Sequence, residues 1–251
     1  VKVVVKRELI RFVNDGKRTT ALLFQAVMWL FVVGAGFGAL APPAPGQVPL
    51  QTFMFPGILV MTVITTAMFS AASIVWDREF GFLREMLVAP VSRTALALGK
   101  IFGGALVATA QSVVVLSLAG FVGVPYHPLL MAELLGLAFL IAFTMTAFGV
   151  MVAARISSLE SFLGISQMVI MPLTFLSGAL FPIDGLHAVF RAAAWANPLT
   201  YAVEPVRQAV LDHLGTSAVG RQLPGAAAVA LLAVLALIFT SFAVAQFRRA
   251  D

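Results

Sequence analysis

Apolar residues fill six runs along this chain, and polar residues collect between them. The runs cover residues 20–40, 53–74, 101–122, 129–153, 162–181 and 224–247. Each is close to the roughly 20 residues that a helix needs to cross the hydrocarbon of a bilayer. The pattern predicts an all-α polytopic membrane protein with six transmembrane helices, forming one membrane domain over 1–251. Met171-Pro172 falls in the middle of the fifth run, where a proline interrupts the hydrogen-bond ladder and a kink is expected.

Three connections depart from simple loops. In residues 3–15, VVVKRELIRFVND, Val5, Leu9, Phe12 and Val13 share one side of a helix, and Arg7, Glu8, Arg11 and Asn14 lie on the other. This predicts a basic amphipathic helix over 1–19 lying at the membrane interface. Residues 75–100, VWDREFGFLREMLVAPVSRTALALGK, are the one long charge-rich interval between two apolar runs. Phe80, Leu83 and Leu87 recur at helical spacing there. Pro90 ends the short helix because the residue before a proline avoids the helical region, and Ser92 is placed to cap the next. Residues 182–223 are too polar to span and too apolar for a disordered loop. Two short helices are expected there, 185–194 and 201–214, separated by Asn197-Pro198 and dipping partly into the membrane.

Composition sharpens the class. The chain is 61% hydrophobic and 11% charged, with a mean hydropathy of +1.01. A soluble domain carries about twice that charge fraction. No nucleotide-binding glycine loop is present, and with no cysteine there is neither a disulfide nor a thiolate metal site. The first apolar run begins only after about 20 residues and further spans follow, so no cleaved secretory leader is expected. The formal charge of +5 reflects orientation rather than nucleic-acid binding. Thirteen of the 16 Lys and Arg residues lie before the first run, in 75–100, in 154–161 or at the C-terminus; only Arg191, Arg207 and Arg221 lie in the other connections. By the positive-inside rule both termini are cytoplasmic, and residues 182–223 are on the outer side.

Candidate chemistry is sparse, and no catalytic residue is expected. His127, His187 and His213 have no ligand spacing, so no metal site is expected. Lys100 reads as an anchor that reaches to the interface, and Gln111 as a helix-to-helix hydrogen-bonding group. Glu79 and Arg84 read as local partners, Glu204 and Arg207 as a pair three residues apart, and Asp184 as a helix cap. A secondary transporter favours an ionisable residue near the bilayer midplane, and no charged residue is placed there. A purely structural membrane protein has no evident need for the 75–100 segment.

Three motifs resemble the ABC-2 type transporter permeases: DREFGFLREMLVAPVSRTALALGK from Asp77, LSGALFPIDGL from Leu176 and NPLTYAVEPVR from Asn197. Their order within six spans covers nearly the whole chain, and the drug-resistance and nodulation-type permeases are the branches it looks most like. The resemblance implies the transmembrane subunit of an ATP-driven exporter in a bacterial plasma (inner) membrane. Its partners would be a second permease subunit, most simply in a homodimer, and two cytoplasmic ABC ATPases that hold the ATP and Mg2+. The cargo would be hydrophobic or amphiphilic, drug-like or lipid-like; a lipid-linked saccharide or polysaccharide is the alternative.

The resemblance also assigns roles. Glu79, Phe80, Gly81, Leu83, Arg84, Glu85, Leu87 and Pro90 belong to a coupling helix that rests on the ATPase. Arg7, Glu8, Arg11 and Phe12 belong to a connecting helix beside it. Pro182, Asp184, Asn197, Pro198, Tyr201, Glu204 and Arg207 fall in re-entrant helices of the outer gate. Phe24, Met28, Met61, Met171 and Phe175 are candidates for the translocation path, because an apolar, aromatic-rich surface suits amphiphilic cargo.

Overall fold

A computed structural model describes residues 2–40, 48–80, 92–180, 183, 187–215 and 224–249. The fold is all-α, and six helices are long and apolar enough to span a membrane. Helix α1 (Lys2–Asn14) leads into α2 (Gly16–Val27), a π-helical segment Met28–Val33 and α3 (Gly34–Leu40), which together make the first span. The remaining elements are α4 (Leu50–Glu79), α5 (Arg93–Leu116), α6 (Pro128–Ala153), α7 (Leu159–Leu176), α8 (Ala188–Ala196), α9 (Pro198–His213) and α10 (Gly225–Arg249).

Helix α4 is the axis of the bundle. In its most apolar stretch 83% of residues are buried, against 17% in α7. It packs on α5 and α6, and α10 covers α6. Bilayer lipid offers no hydrophobic drive between helices, so close packing of small residues must hold them together. Gly104 of α5 supplies such a contact. A Cβ there would lie 2.6 Å from Thr146 Cγ2 on α6 and 3.0 Å from Ser70 Cβ on α4. Gly57 of α4 likewise lies directly against the Ala179 backbone.

Element boundaries differ from the expected ones where propensity and tertiary contact compete. Helix α4 begins at Leu50, ahead of the expected residue 53, and carries Pro56 inside it. At its other end α4 continues to Glu79 rather than stopping near residue 74. Thirty residues at 1.5 Å each make a helix of roughly 45 Å, longer than the ~30 Å hydrocarbon core. Its last turn therefore carries Asp77, Arg78 and Glu79 past the apolar layer. Helix α5 starts at Arg93, capped by Ser92, whose Oγ accepts from Ala95 N at 3.2 Å. The third span closes in a 3-10 turn, Ala119–Val122, and Gly123 follows with φ +78°, a left-handed geometry that glycine adopts without a Cβ penalty. The π segment in the first span has no simple signal in hydrophobic periodicity.

Replacing Gly104 by Val should drive a branched side chain into Ser70 and Thr146 and destabilise the bundle by about 1–3 kcal/mol. Thermal unfolding of the detergent-solubilised protein checks this. Gly136→Ala is the control, because nothing lies within 4 Å of that position, and its midpoint should not fall.

Candidate functional site

The last turn of α4 binds four other helices at the basic end of the bundle. Asp77 faces α1 and α5. Its Oδ2 accepts from Lys100 Nζ at 2.8 Å and from Arg7 Nη2 at 2.9 Å. Lys100 Nζ also donates to Glu8 Oε1 at 2.9 Å and Ser73 Oγ at 2.9 Å. The ammonium thus spends its three donors on three oxygens from α1 and α4. Glu8, Asp77 and Lys100 are only 4%, 5% and 6% exposed. Burying an amine this deeply costs several kcal/mol unless its partners are close and fixed.

The two residues after Asp77 turn the other way. Arg78 donates to the carbonyls of Ile156 at 2.9 Å and Ala154 at 3.0 Å, with a longer bond of 3.4 Å to Ala153. Those carbonyls lie at and just beyond the C-terminal end of α6, where helix carbonyls run short of partners and the helix dipole favours a cation. Glu79 Oε2 accepts from Leu159 N at 3.1 Å, at the start of α7, where the dipole favours an anion. Ser158 caps the same helix end through Ser161 N at 3.3 Å. Arg78 and Glu79 therefore hold the two sides of the α6–α7 turn. Phe80 follows, 59% exposed, with its ring 5.0 Å from that of Trp76.

The structure changes several expected roles. Lys100 is not a reaching anchor: it is inside the protein as the hub of an ion cluster. Glu8 does not sit on a solvated face of α1: its side chain is buried against Gly103 of α5, beside the Val5 backbone, while Arg7 and Asn14 of the expected polar side remain exposed and Val13 of the expected apolar side is 77% exposed. The sequence signal missed was the acid at position 8 as a partner for the lysine at the edge of the third apolar run. Gln111 is fully buried on α5, and neither amide atom has a partner among the described residues, so the expected interhelical bond is not made there. Gly81, Leu83, Arg84, Glu85, Leu87 and Pro90 lie outside the described residues, as do Pro182, Asp184 and the Arg11 side chain.

At the opposite end of the bundle, α8 and α9 meet at an elbow whose residues the NPLTY motif supplies. Asn197 caps α9, its Oδ1 accepting from Leu199 N at 2.9 Å, and its Nδ2 donates to Leu173 O of α7. Pro198 occupies the first turn of α9, where its missing N–H costs nothing. The Thr200 and Tyr201 hydroxyls donate to Ala194 O at 2.7 Å and Trp195 O at 2.6 Å, two carbonyls in the last turn of α8. Further along α9, Arg207 donates to Gly178 O and lies 4.1 Å over the Phe53 ring of α4. The expected neighbour Glu204 instead accepts from Gln208 Nε2 at 2.7 Å. Helix α9 lies outside the six spans. Burial there pulls the Arg207 guanidinium down to about 10, and the nearby Glu204 charge opposes that fall. Arg207 stays charged at neutral pH.

The candidate path residues do not form one enclosed channel. Met61 of α4 lines a small cavity with Gln25 and Trp29 of the first span. Phe24, Met171 and Phe175 are on the surface, 63%, 60% and 40% exposed. His127 and His213 come together with ring centroids 5.6 Å apart. Among the described residues, no group of three or more His, Cys, Asp or Glu is placed to hold a metal.

Six spans around a charged clamp at one end define a multi-pass membrane permease. The chain belongs to the ABC-2 type transporter family, whose model matches residues 1–211. It is 30% identical over 215 residues to a putative transport permease, ycf38, of Cyanophora paradoxa, covering 82% of this chain and 72% of that one. It is 32% identical over 197 residues to nodulation protein J of Rhizobium leguminosarum bv. trifolii, covering 76% and 73%. It is 25% identical over 203 residues to the probable multidrug ABC transporter permease YbhR of Escherichia coli K12, covering 78% of this chain and 52% of that one.

Lys100→Met should leave Glu8 and Asp77 buried without their hub and cost about 3–5 kcal/mol. The triple variant Lys100→Met, Glu8→Gln, Asp77→Asn should recover most of that loss, because no uncompensated charge remains. The two midpoints in detergent unfolding, measured side by side, check the cluster.

Proposed function

We propose that this chain is the transmembrane subunit of an ATP-driven exporter, that both its termini are cytoplasmic, and that its cargo is hydrophobic or amphiphilic. Family membership supports the ATP-driven reading, and one relative, YbhR, is named as a probable multidrug ABC transporter permease. The observation that carries the mechanism is the clamp in the last turn of α4. Residues 81–91 follow that turn directly. A soluble ATPase pressing on this segment and on exposed Phe80 moves the end of α4, and α4 is tied through Asp77, Arg78 and Glu79 to α1, α5, α6 and α7. A stiff linkage of this kind converts a local push into a shift between two packings of the bundle.

Helices α1 and α9 have distinct parts in this mechanism. Helix α1, held by Arg7 and Glu8, acts as the connecting helix. Helices α8 and α9 form the outer gate: Asn197 fastens their elbow to α7, and Arg207 fastens α9 to the Gly178 turn. The cargo path follows the face of α4 between the first span and α7. Three cavities line that face in series, sharing Thr65 and then Phe69 and Leu163. The eighteen residue steps from Ile58 to Trp76 correspond to roughly 27 Å of helix, close to the hydrocarbon thickness. A second copy of the chain would cover Phe24, Met171 and Phe175 and close the path on its open side.

Purification in mild detergent should bring down a stoichiometric cytoplasmic ATPase. The double variant Phe80→Ala, Leu83→Ala should insert normally but lose cargo-stimulated ATP hydrolysis. Full stimulation in that variant contradicts the coupling role. For orientation, a cysteine at Ser217 should be labelled by an impermeant reagent from outside intact cells, and one at Ser92 only after permeabilisation; the reverse pattern inverts the topology.

A further inference from the structure

A cavity of about 230 Å³ lies beside the clamp, between α1, α4, α5 and α7. Phe12 of α1 and Phe69 and Trp76 of α4 supply aromatic walls. The charged side chains that line it are Glu8 and Asp15, both acidic, and Ser70 and Ser73 add hydroxyls. The Lys100 ammonium is not part of the lining; it is turned onto Glu8, Asp77 and Ser73. Glu8 is 4% exposed. Its Oε1 takes the Lys100 bond and lies 3.7 Å from Arg7 Nη2, so the Glu8 charge is shared with the clamp and Asp15 is the acid of the lining outside it.

We infer that this cavity is a loading site for the head group of an amphiphilic organic cation, a substituted ammonium carrying an apolar tail. Aromatic faces attract cations through the ring quadrupole, and nearby carboxylates favour positive charge and repel negative charge. A weakly hydrated organic ammonium also loses little by leaving water, unlike a small inorganic cation. The volume is below the ~300–1,000 Å³ of a site that encloses a whole drug-sized ligand, so it fits the head and leaves the tail outside. Its place suits that arrangement. It lies at the basic end, where α1 meets the spans, and shares Phe69 and Leu163 with the next cavity along α4. A lipid-linked saccharide carried on a phosphate is disfavoured by the same two acids. This inference rests on the exporter reading for its role in transport, but the binding itself does not.

The test is equilibrium binding of decyltrimethylammonium and of decanoate to the protein in lipid nanodiscs, with empty nanodiscs subtracted. The two probes carry similar tails and opposite charges. Saturable binding of the cation alone is expected. Asp15→Asn removes a charge while keeping a residue equally suited to precede a helix, and Trp76→Ala removes an aromatic wall. Each should weaken the cation roughly five- to thirtyfold, and Trp76→Phe should restore most of the affinity. Unfolding midpoints identify any variant that fails to fold, in which case Trp76→Phe and Asp15→Asn carry the comparison. Equal binding of decanoate, or unchanged cation affinity in folded Asp15→Asn and Trp76→Ala, overturns the site. ATP-driven efflux from vesicles separates the two claims. Cation binding without efflux keeps the site and removes the exporter reading. Efflux of the cation that is indifferent to both variants keeps the exporter and removes the site.

Discussion

A buried ammonium organises the basic end of this molecule. Lys100 is the eighth residue of α5 and only 6% exposed, so its charge must be compensated by protein oxygens. Glu8, Asp77 and Ser73 provide them at 2.8–2.9 Å. Satisfying that one group fixes the position of α1 against α5 and of α4 against both. Such a cluster adds little net stability over an apolar replacement, but losing one member is expensive. Its effect is therefore positional: it selects one arrangement of three helices that are otherwise held by non-directional packing.

The rest of the turn extends the same constraint. Arg78 and Glu79 satisfy opposite helix ends on either side of a single connection, so the carbonyls at and just beyond the end of α6 and the first amide of α7 both depend on α4. Hydrogen bonds to charged groups of this kind contribute about 1.5–3 kcal/mol each. Three consecutive residues thus fasten four elements, immediately before the segment on which a partner is proposed to act. The opposite end uses a different device. There neutral groups, Asn197, Thr200 and Tyr201, close the elbow by taking carbonyls, and Arg207 holds the Gly178 turn against α4.

The six spans were legible because bilayer crossing imposes a length and an apolar composition that a single chain displays directly. Two helices on either side of Asn197-Pro198 were legible too, but the second was expected from 201, whereas Asn197 caps it and Pro198 starts it. What could not be read was the direction of charged side chains at the membrane boundary. Helical spacing placed Glu8 on the polar side of α1, and an amphipathic helix beside a membrane normally presents that side to water. Here Glu8 turns onto α5, because Lys100, enclosed by the bundle, needs an acid beside it; Arg7 and Asn14 on the same side stay exposed. Lys100 was misread for the complementary reason: its distance along the helix is visible in sequence, whereas the neighbours that enclose it are not. The aromatic and acidic lining beside α1 escaped notice because it draws on residues from four separate elements.

The central claim is that the end of α4 transmits a push from residues 81–91 to the spans through Arg78 and Glu79 as well as through Asp77. The direct measurement is cargo-stimulated ATP hydrolysis by the assembled complex carrying Arg78→Met and Glu79→Gln, with unfolding and subunit association measured on the same preparation. The account predicts a folded, associated complex that still hydrolyses ATP but no longer responds to cargo. A complex that responds as the unaltered one does contradicts it, and places the transmission elsewhere in the molecule.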